Sequence, residues 1–245
     1  MNTEATTVTV QGTPGDDALR AQETQNYRLA TFYYYGEAGN DTMWGPGYPH
    51  TSHMYGGRGN DVYHLVHDDK AYEKAGEGID TVTSPYSYSL YGQVIENLRL
   101  VDVYDTPATA TGNSLRNKID GNSADNILYG MGGNDTLNGG RGDDILWGGE
   151  GNDLFVFDLG YSWEAHNDTI ADFEHGKDKI DIPGKFSEYT FIGTERFHNV
   201  PREMHVYHLA DGNSYISGDT NGDGDADFAI KVLGWHTFSS AEFVL

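Results

Sequence analysis

At 245 residues the chain has room for one large domain or two modest ones. Asp and Glu total 38 against 15 Lys and Arg, and the net charge of −23 argues against nucleic-acid phosphate or anionic lipid as a partner. The chain has no cysteine, which excludes disulfides and thiolate metal sites, and no apolar run approaches the ~18 residues of a membrane span.

With 37% hydrophobic residues and this charge, the composition is that of a disordered chain, yet it carries 17 Tyr, 10 Phe and 4 Trp. A bound cation resolves the conflict. It would cancel carboxylate repulsion and tie loops down, so that binding free energy becomes folding free energy. Met1 to Gln11 lacks both a basic stretch and an apolar stretch, so no ordinary signal peptide is visible and export would use another route.

The first elements are three units in which glycine leads, an acid follows five positions on, and an apolar residue comes two later. GTPGDDALR (12–20) places Asp17 and Leu19, GEAGNDTMW (36–44) places Asp41 and Met43, and GGRGNDVYH (56–64) places Asp61 and Tyr63. A loop at 21–35, with Tyr33, Tyr34 and Tyr35, interrupts this block; those tyrosines read as aromatic-rich β structure. Gly45 to Tyr55 reads as a unit swollen by two residues, which puts Asp41 and Asp61 on one edge sharing a cation. From Glu77 to Gly112 apolar and polar residues alternate. That stretch is expected to form longer, metal-free β coils burying Val82, Leu90, Ile95, Leu98 and Leu100.

The same grammar then becomes strict. Gly112, Gly121, Gly130, Gly139 and Gly148 recur every nine residues, followed in phase by Asn117, Asn126, Asp135, Asp144 and Asp153, then by Ile119, Leu128, Leu137, Leu146 and Phe155. Each unit reads as a six-residue glycine-rich turn and a three-residue strand with its apolar residue inward. Without side chains in the way, turn carbonyls can converge on a hard cation while the Asp supplies charge, the oxygen set Ca²⁺ prefers. The candidate ligands are the side chains of Asn126, Asp135, Asp144 and Asp153, with turn positions Gly130, Gly132, Gly139, Arg141, Gly148 and Glu150. One coil takes two units. Asp135 should therefore stack on Asp153, and Asp144 on Asn126 at the other edge, the two-carboxylate pair holding the ion more tightly.

The runs GMGGNDTLN, GGRGDDILW and GGEGNDLFV resemble the calcium-binding nonapeptide GGxGxDxUx of RTX, or hemolysin-type, proteins. Beyond Phe157, NDTIADFEHGKDKIDI (167–182) and DTNGDGDADFAIKVLG (219–234) resemble the C-terminal domain of serralysin-type secreted metalloproteases. This resemblance implies that the last part of the chain caps the roll and holds an uncleaved type I secretion signal. It also implies that Asp168 and Asp178 are calcium ligands closing the roll. The ending Ala241–Leu245 looks like that family's acidic residue and apolar tail, with Glu242 where Asp is usual. Asp219, Asn221, Asp223, Asp225 and Asp227 match half of an EF-hand loop but have Ile230 at its twelfth position, and two readings stand: a metal site, or a hydrogen-bonded Asp-rich turn.

Catalytic signatures are missing. There is no HExxH and no GxSxG, and the pairs His50/His53, His64/His67 and His205/His208 lack a helical setting. Trp44, Tyr48, Trp147 and Trp163 offer rings that could stack on sugar, or serve as sheet-face residues. The expected fold is all-β: a right-handed parallel β-roll over 9–160, with blocks 12–64 and 112–157 joined by coils 65–111, capped by a small β domain at 161–245. The expected function is calcium binding outside a bacterial cell, coupled to folding after export by a type I secretion apparatus. Two alternatives stand beside it: a non-catalytic module or relative of a secreted hydrolase or epimerase-like enzyme, and an adhesion protein for extracellular polysaccharide.

Overall fold

Strands of three residues expose two side chains and bury one, so they are stable only when stacked in register on others of their kind. The computed structural model, which describes residues 6–21, 29–103, 106–157, 167–182 and 189–244, is built on this rule. The architecture is all-β, a right-handed parallel roll, and the only helical piece among the described residues is a 3₁₀ turn at Ser240–Glu242. Two compact units divide the chain, Met1–Tyr104 and Asp105–Leu245.

In the first unit the chain runs β1 (Thr6–Gln11), β2 (Ala18–Arg20), β3 (Ala30–Ala38), β4 (Thr42–Trp44), β5 (Thr51–Arg58), β6 (Val62–His64), β7 (Lys70–Tyr72), β8 (Thr81–Ser84), β9 (Tyr88–Ser89) and β10 (Asn97–Leu100). Strands alternate between two parallel sheets, β1-β3-β5-β7 and β2-β4-β6-β8-β10, as a roll requires. The inward residues fall into register: Leu19, Met43, Tyr63, Val82 and Leu98 form one column. The expected interior residues Val82, Leu90, Ile95, Leu98 and Leu100 are all buried. The expected loop at 21–35 is shorter than the sequence suggested: residues 22–28 lie outside the described ones, and β3 begins at Ala30 because alternation buries Ala30, Phe32 and Tyr34.

The second unit runs β11 (Thr109–Thr111), β12 (Lys118–Asp120), β13 (Ile127–Tyr129), β14 (Thr136–Asn138), β15 (Ile145–Trp147), β16 (Leu154–Val156), β17 (Thr169–Ile170), β18 (Lys179–Asp181), β19 (Thr190–Phe191), β20 (Glu203–His208), β21 (Ser214–Asp219), β22 (Phe228–Val232) and β23 (Phe243–Val244). Two columns fill its interior. Ile119, Leu137, Phe155, Ile180 and Phe243 stack along one sheet, Ala110, Leu128, Leu146, Ile170 and Val232 along the other. Each fully buried Leu or Phe contributes about 1.5–3 kcal/mol. The second sheet then changes character, since β20, β21 and β22 pair antiparallel. The tail returns as β23, parallel to β18, after a capping box in which Ser239 and Glu242 satisfy each other's backbone N–H groups.

Candidate metal centre

The turns end in an acid or amide immediately before a strand, and these residues stack from coil to coil. In the second unit the Asn117 N–H donates to Asp135 Oδ1 at 2.7 Å, that of Asp135 to Asp153 at 2.8 Å, and that of Asp153 to Asp178 at 3.0 Å. On the opposite edge Asn126 donates to Asp144 at 2.7 Å, and Asp144 to Asp168 at 3.0 Å. In the first unit Asp17 donates to Asp41, Asp41 to Asp61, Asp61 to Asp80, and Asp80 to Glu96, at 2.7–2.9 Å. The stacking of Asp135 on Asp153, Asn126 on Asp144 and Asp41 on Asp61 follows the spacing in the sequence. Asp168 and Asp178 continue the two edges of the second unit.

Except at Asp17, each of these carboxylates accepts a backbone N–H of the neighbouring coil on one oxygen. The other oxygen is the informative one. Oδ2 of Asp41, Asp61, Asp135, Asp144 and Asp153 is buried with no hydrogen-bond partner, an arrangement that costs several kcal/mol for an ionised group unless something pairs with it. The leading glycines explain the space around these atoms. A Cβ on Gly148 would lie 2.5 Å from Asp153 Oδ2, and one on Gly130 would lie 2.5 Å from the Gly148 carbonyl oxygen while also striking Asp135 Oδ2. Gly130 thus leaves a cradle into which a carboxylate oxygen and the next coil's carbonyl oxygen both point, and Gly36 does the same beside Asp41 and the Gly56 carbonyl; at Gly139 it is Asp144 that crowds the position. Hard, anionic, unpartnered oxygens around a vacated Cβ position fit Ca²⁺.

The remaining candidate residues divide by role. Asp17 and Asp178 give their second oxygens to the N–H groups of Thr13 and Glu174, at 2.6 and 2.7 Å. Asn126 accepts from the Asn122 N–H at 2.7 Å and donates back to its side chain at 3.0 Å, a neutral turn. Gly132 bridges to Glu150, whose carbonyl accepts from the Gly133 N–H at 2.9 Å; Arg141 N–H donates to the Asn122 carbonyl at 3.2 Å. The side chains of Arg141 and Glu150 are exposed, so these third positions present only their backbone to the turn.

Burial, above all, makes these carboxyls hard to ionise. It pushes Asp144 up to about 8, Asp135 and Asp80 to about 7, and Asp41 and Asp153 to about 6, with backbone N–H donors opposing and neighbouring acids reinforcing the shift. A cation in the cradles would reverse that balance.

Asp69, Glu73, Asp80 and Glu96 escaped the sequence reading, which took 65–111 as joining β coils and Glu77 to Gly112 as metal-free. Oxygens of Asp61, Glu73 and Asp80 lie within 4.8 Å of one another. The signal for Asp80 was present: it precedes β8 by one residue and Val82 follows it by two, the same phase as every other unit. The Asp-rich run at 219–227 is hydrogen-bonded within itself, as both of its readings allow. Asp219 accepts from the N–H groups of Gly222 and Gly224, and Asp227 accepts from Thr220 and Asn221.

Among the described residues the histidines that the sequence pairs turn to aromatic rings, while His175 and His236 meet elsewhere, Nε2 to Nδ1 at 3.1 Å. His53 stacks between Tyr33 and Tyr72, His64 on Trp44, and His208 on Trp235. Both faces of Trp44 are covered, by His64 and by the Arg20 guanidinium 3.7 Å from the ring centroid, which removes it from sugar stacking. Trp147 stays 38% exposed and Tyr48 83%, while Trp163 lies outside the described residues. No helix among the described residues is long and apolar enough to cross a membrane.

The model of the peptidase M10 serralysin C-terminal family matches residues 34–245. An endo-1,3-1,4-β-glycanase of Rhizobium meliloti (strain 1021) is 49% identical over 57 residues, which cover 23% of this chain and only 12% of that relative. Among solved structures, the AlgE6R3 subunit of a mannuronan C5-epimerase from Azotobacter vinelandii aligns over 70% of this chain and 82% of its own, with 24% identity and a TM-score of 0.38. The extracellular lipase LipA from Serratia marcescens aligns over 100% of this chain and 40% of its own, with 17% identity and a TM-score of 0.30.

Proposed function

The chain belongs to the peptidase M10 serralysin C-terminal family, and from that premise we propose that it is a secreted β-roll module that folds as it binds several calcium ions outside the cell. The observation that carries this reading is the set of five buried, unpartnered carboxylate oxygens at Asp41, Asp61, Asp135, Asp144 and Asp153. In a cytosol poor in calcium those charges oppose folding and keep the chain extended enough for export. At the roughly millimolar calcium outside a cell, sites with dissociation constants of ~10⁻⁴–10⁻³ M fill. In this reading residues 9–160 are the loaded roll, and 161–245 are the cap carrying the uncleaved type I signal, with Asp168 and Asp178 closing the roll's two edges. Phe243 is buried and β23 is paired to β18, so an exporter that reads the tail does so before this strand docks.

Far-UV circular dichroism during calcium titration, with magnesium as control, tests the coupling. A cooperative gain of β signal with calcium alone supports it; a chain equally folded in chelator sinks it. Deleting residues 241–245 tests the export signal, and undiminished secretion overturns that part.

A second reading, favoured by the 49%-identical stretch shared with a glycanase, makes the chain a non-catalytic module serving a polysaccharide-active protein. Calcium-dependent retention on a β-glucan column separates the two; passage through the column without delay leaves the calcium-folding reading alone.

A further inference from the structure

In the nine-residue unit the acid follows its leading glycine by five positions, and no side chain fits at that glycine. Between β7 and β8 the spacing is seven, Glu73 to Asp80, and a side chain stands where glycine otherwise repeats. Tyr72 pairs with Tyr55, which sets Glu73 beside Gly56 on the next coil. The Glu73 carboxylate enters the cradle that Gly56 leaves open. A Cβ on Gly56 would come 2.5 Å from Glu73 Oε1 and would strike Asp61 Oδ2 and the Tyr63 hydroxyl. That hydroxyl accepts from the Gly56 N–H at 2.8 Å and donates to Glu73 Oε1, which fixes the carboxylate in place.

What remains unsatisfied points inward. Asp61 is 0% exposed and its Oδ2 has no partner; Glu73 Oε2 is likewise buried and unpartnered. The charged groups acting on Glu73 are Asp80, Asp61 and Glu77, all acidic. The nearest lysine in sequence, Lys74, has an 83% exposed side chain and pairs outward with Glu77 at 3.5 Å.

We propose that Asp61, Glu73 and Asp80 form a three-carboxylate calcium site, built differently from the repeat cradles and tighter than they are. The proposal rests on the reading of the roll as a calcium binder. Ca²⁺ takes oxygens at about 2.3–2.6 Å and so bridges ligands up to about 5 Å apart, the separation found here. Affinity at such sites rises with the number of charged ligands and with their rigidity. The repeat cradles draw on one or two carboxylates and backbone carbonyls. This site adds a third carboxylate held by a buried phenol.

Calorimetric calcium titration of the full chain, in four forms, tests the site. Wild type should show one ion bound at least tenfold more tightly than the rest. Glu73→Gln should remove that tight class and leave the others. Glu73→Gly restores the glycine of the ordinary unit, keeps the roll foldable, and should weaken the same ion to the level of the others. Asp153→Asn should leave the tight ion and weaken a different one. If wild type takes up no calcium, the reading of the whole roll fails. If wild type binds calcium while both Glu73 variants keep its tight class unchanged, this site alone is overturned and the three acids merely share protons.

Discussion

Residues 112–157 and residues 30–100 use the same turn-and-strand grammar to different ends. In the first stretch, successive rungs of Asn117, Asp135 and Asp153, and of Asn126 and Asp144, are 18 residues apart. In the second, the rungs from Asp41 to Asp61, Asp80 and Glu96 are 20, 19 and 16 residues apart. Constant spacing makes near-identical cradles and three-residue strands, each burying one side chain, with Tyr129 stacked on Trp147 at 6.2 Å. Variable spacing admits strands of nine and eight residues, β3 and β5, whose outward rings stack: Tyr35 on Tyr55 at 5.2 Å, Tyr55 on Tyr72 at 4.8 Å, Tyr33 on His53 at 5.0 Å. In the proposed function regularity leaves stability to the metal, while irregularity spreads it into ring stacks and longer hydrogen-bonded ladders.

Removing calcium should separate the two stretches most strongly. In chelator, amides of residues 117–156 should lose protection from hydrogen exchange by at least about a thousandfold, or ~4 kcal/mol, while those of β3 and β5 retain part of theirs. Equal loss in both stretches would show that the ring stacks contribute nothing. Next comes Asp153→Ala, which strips the Asp135 N–H of its acceptor and a cradle of its carboxylate. It should lower stability in calcium by about 3–4 kcal/mol by denaturant melts, whereas Asp153→Asn, which keeps the acceptor, should cost about half as much. Asp41→Ala, in the ring-stacked stretch, should cost only about 2 kcal/mol.

The sequence made the interior and the regular cradles legible because two periodicities coincided there. A period of nine set the turns, and a period of two within each strand turned Ile119, Leu128, Leu137, Leu146 and Phe155 inward. All five are fully buried. Asp80 and Glu73 were harder to read because the leading glycine is replaced and the turn lengthened, so the template fails though the Asp-x-apolar step survives. The tyrosines of β3 show a different limit. Their β character was readable, but only the register of β3 on β5 decides that Tyr34 goes inside and that Tyr33 and Tyr35 meet His53 and Tyr55. At 219–227, spacing alone does not distinguish a metal loop from a turn, and the backbone N–H groups of Gly222 and Gly224 aimed at Asp219 suit either, since its carboxylate keeps further lone pairs.

Acidity sharpens the same comparison at smaller amplitude. The raised folded-state values, about 6 to 8 for Asp41, Asp135, Asp144 and Asp153, stand above the ordinary 3.8. Between those limits the calcium-free fold binds more protons than the unfolded chain, so its stability falls as pH rises through the window. Without calcium, β signal should therefore grow as pH is lowered from 8 toward 4. Calcium affinity should weaken over the same range as protons compete; no pH response in chelator would contradict the burial of these acids. The smallest effect concerns backbone strain. Met131 sits at φ 79° where the neighbouring units carry Gly140 and Gly149, also at positive φ. Met131→Gly should raise stability by about 1 kcal/mol, measured by thermal melts in saturating calcium.

In the proposed function, cations sit in the glycine cradles beside unpartnered Asp oxygens. Crystals of the full chain grown with calcium, then with terbium in its place, would show this by anomalous scattering. Peaks are expected within ligand distance of Oδ2 of Asp41, Asp61, Asp135, Asp144 and Asp153, those of Asp41 and Asp135 also facing the carbonyls of Gly56 and Gly148. Peaks only on exposed acids, with the cradles filled by water and the fold intact in chelator, would contradict it.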